Sequence, residues 1–344
     1  MKRLATLLLA AAACLAIPAT AQEIAFTASD TLQLPRDTFF GAVTGVATNS
    51  KGHVFVYSRT GTPVATLGGA RPFVRGGSEL SQFDQNGKFV RSVGKNIYGA
   101  LASAAVRVDA NDNVWIVDSY SGMVIKFNPQ LRIAMMLGRK PEAVQVPAQP
   151  NTGRAAAGAL AASGMPADLF EGPTDVAWDA DGNIFVADGT GNARVAKFNR
   201  DGVFVKSWGS RGSGEGQFST ARSIAVDAGG NVYVADRGNN RIQVFDNNGT
   251  FKSSITTAGN PQTICISPGA RQYLYASNSN PVNDLDKGGE IYKLELTGTV
   301  VGKFGHAGKQ LKEFSAVNEI DCRSASQLYV AEAGNWRVQK INLQ

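Results

Sequence analysis

The chain has 344 residues, with 34 lysines and arginines against 28 aspartates and glutamates, a formal charge of +6, 18% charged residues and 38 glycines. That turn-rich composition excludes an extended disordered chain. There is no Lys/Arg-rich run and no basic stripe interleaved with aromatics, which argues against nucleic acid as a partner.

From Met1 to Ala21 the chain reads as a signal peptide: Lys2 and Arg3 precede an apolar run from Leu4 to Ala16, and Ala19-Thr20-Ala21 is an A-x-A cleavage site. The apolar run is too short to span a bilayer. A lipid-modified Cys14 is the rival, against which Ala11 stands where a bulky residue is usual. The expectation is a secreted or periplasmic product beginning at Gln22, with no membrane insertion after cleavage. Without Lys2 and Arg3 its formal charge falls from +6 to +4.

Beyond Gln22 one pattern recurs. Residues 207–255 contain four short runs with alternating apolar residues, ending at SIAVD, NVYVAD, RIQVFD and FKSSI and separated by short Gly- and Asn-rich turns. Such turns join only antiparallel neighbours, so the unit is a four-stranded sheet. One sheet cannot bury both its faces and needs copies on either side. The copies are anchored by second strands ending at Ser58, Asp118, Asp188, Asp236, Ser277 and Glu332. Each follows an inner strand: GVAT, VRVD, VAWD, IAVD, ICIS and EIDC. Six units predict an all-β, six-bladed β-propeller over residues 22–344, one domain with a shared radial core. The last unit stops at its third strand, RVQKINL, so the orphan strand TLQL (Thr31 to Leu34) is expected to complete it and close the ring.

A long insertion at about 139–172, rich in Ala and Pro, separates the outer strand of blade 2 from the inner strand of blade 3. It reads as a surface loop, with a lid over the central opening as the alternative. Cys265 and Cys322 lie on inner strands of adjacent blades. Aligning TICI with EIDC offsets them by one residue, which points their side chains to opposite faces and favours two buried thiols over a bridge.

Asn-x-Arg opens the third strand three times, as Asn192 and Arg194, Asn239 and Arg241, and Asn335 and Arg337; Met123 replaces the arginine in blade 2. The guanidinium fork is expected to hold the acid ending the second strand, while Asn bonds its own turn. With GxGEGQF (Gly212 to Phe218), these residues resemble the NHL-repeat family. VYSRTGTPV, GKFVRSVGKN, GPTDVAWD, FVADGTGNARVAKF and YVADRGNNRIQVF resemble, more closely, the peptidyl-α-hydroxyglycine α-amidating lyases, a six-bladed NHL branch.

That resemblance implies three zinc-binding histidines at the top of the central channel, a catalytic Arg after the second strand of blade 1 and a catalytic Tyr in the D-G-Y-x-N-x-R loop. Here the zinc positions fall at or next to Ala104, and on Arg222 and Asn318; the Tyr position is Thr190, and only Arg59 is retained. The acidic residue expected after the third histidine is Glu319, which leaves calcium open. Alanine has no donor, asparagine a weak one and guanidinium no lone pair, so zinc is not expected. A fixed positive charge about 6 Å from a divalent ion costs roughly 5 kcal/mol at an effective dielectric of 20. His53 and His306, the only histidines, read as turn residues.

Arg59, Thr190, Arg222, Asn318 and Glu319 are therefore the candidate ligand-binding residues. Three readings compete: a non-catalytic exported scaffold binding a small polar or anionic ligand, a peptide or a protein at the channel mouth; an amidating-lyase-like enzyme with an altered site; and a gluconolactonase-type calcium hydrolase using Glu319, Asn318 and Asp175. Against an anion site stands the plainer reading that Arg59 and Arg222 pair with local acids such as Asp175 or Glu319.

Overall fold

The computed structural model describes residues 21–60, 65–66, 72–73, 77–94, 97, 99–138, 169–281, 284 and 286–344. The expected signal peptide, but for its last residue, and most of the 139–172 insertion lie outside them.

Six antiparallel four-stranded sheets form the blades. Blade 1 runs inner to outer as Ala42–Thr48, Val54–Arg59, Ser78–Phe83 and Phe89–Val93. Blade 2 comprises Ser103–Val108, Val114–Asp118, Met123–Phe127 and Ile133–Gly138. Blade 3 follows with Asp175–Trp178, Ile184–Asp188, Arg194–Phe198 and Phe204–Trp208. Blade 4 is Ala221–Val226, Val232–Asp236, Arg241–Phe245 and Phe251–Ile255. Blade 5 is Pro261–Ile266, Leu274–Asn278, Ile291–Leu294 and Val300–Phe304. Blade 6 takes Val317–Asp321, Gln327–Glu332 and Arg337–Leu343 from the end of the chain and Phe26–Ser29 from its beginning.

The core lies between blades. Trp115, Val117 and Val124 of blade 2 pack on Val176, Val186 and Phe198 of blade 3, and Val43, Val56 and Phe83 of blade 1 pack on Tyr329, Ala331 and Val338 of blade 6. Both faces of a blade are covered, so its second strand reads as nearly continuous apolar residues; VWIVD and IFVAD are buried throughout.

Two expectations are corrected. The strand added to blade 6 is Phe26–Ser29, paired antiparallel with Phe26 opposite Leu343 and Ser29 opposite Lys340. TLQL instead touches blade 1, where Gln33 bridges Lys88. Both segments are short and half apolar, and packing separates them: Phe26 wedges against Phe304 and Phe314, with ring centroids 5.1 and 6.5 Å away.

Secondly, Cys265 and Cys322 form a disulfide, with Cα atoms 6.0 Å apart, an ordinary separation for a bridge. The offset argument holds within one sheet, where residues of opposite parity point apart. Neighbouring blades stack face to face, so opposite faces are the ones that meet, and a one-residue offset brings the two sulfurs together.

Candidate functional site

The Asn-x-Arg couples are structural. Arg194, Arg241 and Arg337 donate through Nε to Asp188, Asp236 and Glu332 at 3.0, 3.0 and 2.7 Å, and these acids are fully buried. Asn192, Asn239 and Asn335 reach the same carboxylates at 2.6, 2.7 and 2.6 Å rather than bonding only their own turns. In blades 4 and 6 the arginine also ties down the preceding loop, Arg241 through the carbonyls of Gly214 and Gln217 and Arg337 through those of Gln310 and Glu313. Blade 2, lacking the arginine, rehouses Asp118 on the backbone N–H groups of Leu101, Ala102 and Ser121.

At the end of the channel where the inner strands begin, the three mapped zinc positions converge. Asn318 Nδ2 donates to the carbonyls of Thr44 and of Ala104, the latter at 3.0 Å. Its Oδ1 accepts from Arg222 Nη2 at 2.8 Å and from Gln262 Nε2 at 3.1 Å. One neutral amide thus joins blades 1, 2, 4, 5 and 6 across the axis. This donor set does not fit zinc. Ala104 offers only a backbone oxygen already bonded to an amide, Asn318 is used on both sides, and a guanidinium stands at the third position. Among the described residues no group of three or more His, Cys, Asp or Glu is arranged to hold a metal ion. His53 faces Gln82, with Nδ1 3.0 Å from Nε2, and His306 lies exposed against the Ala307 carbonyl.

One layer deeper lies Arg107, which the sequence reading missed. From blade 2 it donates to Asp175 of blade 3 through Nε at 2.9 Å and Nη2 at 2.6 Å. It also reaches the Ser223 hydroxyl of blade 4 at 3.3 Å, and the carbonyls of Ile264 in blade 5 and Ile320 in blade 6, both at 3.2 Å. Glu319 Oε1 lies 2.8 Å from its Nε. A planar group with in-plane donors reaching strands on several sides lies across the channel. Asp175 and Glu319 hold Arg107 above the ordinary arginine range, against the pull of burial.

Glu319 is buried, and its Oε2 accepts from the N–H groups of Val46 and Val106 at 3.2 and 3.0 Å. Gly45 makes room for it, because a Cβ there would stand 2.7 Å from that oxygen and 2.6 Å from Val106 N. Burial raises Glu319 well above the usual carboxyl range, with Arg107 opposing. A signal for Arg107 was present: VRVD carries a cation at an inner-strand position where GVAT, VAWD and IAVD carry alanine.

Because Asp175 and Glu319 are ion-paired with Arg107, neither forms an ion pair with Arg222, though both act on it through space. Among the described residues no ion pair reaches Arg59, Arg222 or Arg237, and all three are partly exposed. Burial, and the like charges of Arg59 and Arg237, push Arg222 down to about 10 against the opposing pull of Asp175 and Glu319, which leaves it charged at neutral pH. Arg59 donates to the Ser103 carbonyl through Nε at 3.2 Å and Nη2 at 2.9 Å, which fixes it against the start of blade 2. Thr190 stands apart: it is exposed, its carbonyl accepts from Arg211 at 3.1 Å, and no hydrogen bond links it to Asn318 or Arg222.

The NHL repeat model matches residues 170–198 and 218–245, the greater parts of blades 3 and 4. Peptidyl-alpha-hydroxyglycine alpha-amidating lyase 1 of Drosophila melanogaster is 27% identical over 343 residues, covering 88% of this chain and 57% of the relative. Peptidyl-glycine alpha-amidating monooxygenase A of Xenopus laevis is 27% identical over 256 residues, covering 72% of this chain but 25% of the relative. NHL repeat-containing protein 3 of Homo sapiens is 27% identical over 188 residues, half of each chain. The chain thus spans about 57% and 25% of the lengths of the first two relatives. Among solved structures, a streptogramin B lyase superposes with a TM-score of 0.57 at 14% identity, covering 93% of this chain and 98% of the other. A Bacteroides thetaiotaomicron protein of unknown function superposes with a TM-score of 0.60 at 13% identity, covering 94% and 77%. At such identities these likenesses speak for the fold alone. Repeat match, architecture and relatives together identify an NHL-repeat six-bladed propeller that resembles the peptidyl-α-hydroxyglycine α-amidating lyases.

Proposed function

We propose that this protein is an exported, non-catalytic propeller that binds an anionic or polar ligand at the channel mouth: a small carboxylate, or a peptide or protein presenting one. The observation carrying this reading is the division of charge along the axis. Arg107 takes both nearby carboxylates, so Arg222 keeps its charge beside Arg59 and Arg237. Guanidinium groups left uncompensated in a shaped opening suit planar oxyanions. Asn318 holds the place of a metal ligand as a neutral, fully bonded amide, and no zinc is needed for this role. Export rests on the Lys2-Arg3 start, the short apolar run and the A-x-A site.

Succinate, titrated by calorimetry at low salt, is the probe. Binding weakened at least tenfold by Arg222→Ala supports the reading; unchanged affinity removes it. A second reading, a lyase with an altered site, is favoured by Arg59, which stands where the amidating lyases place their catalytic arginine. One equivalent of tightly bound zinc in the purified protein would turn the balance toward it. A calcium hydrolase is disfavoured because the guanidinium of Arg107 occupies the space between Asp175 and Glu319.

A further inference from the structure

The channel has a second end. On the far side of Arg107 the inner strands diverge around a cup of about 350 Å3, within the range of small-ligand sites. The positions level with Arg107 are set by the ladder, where each faces an aromatic residue of its own blade: Ala47 opposite Phe55, Ala177 opposite Phe185, Ala225 opposite Tyr233, Cys265 opposite Tyr275 and Asp321 opposite Tyr329. Three of these are alanine, which is why the strands leave space here. Val108, Val226 and Ile266 line the walls, together with the Cys265–Cys322 bridge.

Asp321 is the exception in this ring of small side chains. Its Oδ2 accepts from the Thr48 hydroxyl at 2.5 Å and its Oδ1 from the Arg323 N–H at 3.2 Å. Among the described residues no ion pair reaches it. The Arg323 guanidinium extends to the carbonyls of Val108 and Asp109, at 3.2 and 3.3 Å, and to Asp112 at 3.8 Å. Arg107 is already shared between Asp175 and Glu319. Arg107 and Arg323 also line the cup and act on Asp321 through space, but neither forms an ion pair with it, so a carboxyl without a salt bridge borders a largely apolar cavity.

We propose that this cup is a second ligand site, taking a small apolar amine whose ammonium pairs with Asp321 while its hydrocarbon body fills the space over Ala47, Ala177 and Ala225. Nothing in this site depends on the reading of the mouth. A cation held beside a desolvated carboxylate is attracted more strongly than at an open surface. Burial also raises the Asp321 pKa against the Thr48 hydroxyl and the charge of Arg323, with Arg107 and Tyr329 the other titratable groups facing it, so amine affinity falls as acid protonates it.

The probe is tryptamine, titrated at pH 7 by calorimetry, with indole-3-propionate as the ligand of similar body and opposite charge. Saturable one-site binding of tryptamine, at least tenfold tighter than indole-3-propionate, is expected. Asp321→Asn should weaken it at least tenfold by removing the charge, and Ala225→Leu as much by filling the cup. A thermal melt establishes that each variant is folded; if Ala225→Leu does not fold, Ala47→Val narrows the cup from another blade and is read in the same way. Absence of saturable tryptamine binding, equal binding of indole-3-propionate, or wild-type affinity in either folded variant overturns the proposal.

Discussion

Arg107 and Arg222 occupy the same channel one layer apart and have opposite fates. Arg107 lies among two carboxylates, a hydroxyl and two carbonyls supplied by four other blades. Among the described residues Arg222 makes a single side-chain bond, to the amide of Asn318. Charge separates structure from recognition here: a cation whose donors are consumed fastens the ring, and one left with its charge beside other cations is available to a ligand. Location alone would have assigned both residues the same role.

The sharpest way to break this comparison is to remove the compensated charge. Arg107→Met leaves Asp175 and Glu319 buried and unpaired and should cost about 3–5 kcal/mol in urea unfolding. Adding Asp175→Asn and Glu319→Gln should recover much of that loss. A cost below about 1 kcal/mol for Arg107→Met alone would mean that the layer does not fasten the ring. Next in size is the covalent link between blades 5 and 6. Cys322→Ser opens a bridge spanning 57 residues and should lower stability by about 2–4 kcal/mol, as should reduction of the wild type.

In the turns, Arg241→Met takes the only ion-pair partner among the described residues from a buried Asp236, which keeps the Ser219 and Thr220 N–H groups and the Asn239 amide, and should cost about 1.5–3 kcal/mol. Met123 stands at the matching place in blade 2, where Asp118 accepts from three backbone N–H groups against two at Asp236. Removing the uncompensated charge should do least to the fold: Arg222→Ala should shift stability by less than about 1 kcal/mol, since the lost bond is offset by relief from Arg59 and Arg237. Its effect belongs in ligand affinity, and a large unfolding shift would erase the distinction.

The smallest test is the pH slope. Glu319 has its pKa raised in the folded state, so the native protein holds that proton more tightly than the unfolded chain. Its contribution is therefore most favourable in acid and declines as pH rises from the ordinary glutamate value through the raised one. Glu319→Gln should flatten that part of the urea midpoint plotted against pH; an unchanged slope would show that Glu319 does not titrate there.

Much of the fold could be read from the chain because it is written locally and repeatedly. Alternation in VYVAD, the Asn- and Gly-rich turns and the recurring Asn-x-Arg each describe one blade, and repetition supplies the ring. The candidate site was legible in part. Ala104, Arg222 and Asn318 were identified by position and do meet on the axis, whereas Thr190, found by the same alignment, stays on the rim.

The sequence by itself determined the period, the strand order within each blade and the absence of histidine from the positions that the lyase resemblance maps to metal ligands, since each is fixed by residue type and near-neighbour spacing. Tertiary structure decided which N-terminal segment joins blade 6, which cysteine faces meet, and which of two arginines receives the carboxylates. Those outcomes depend on contacts between residues as far apart as Arg107 and Glu319, brought together only when six inner strands converge on one axis.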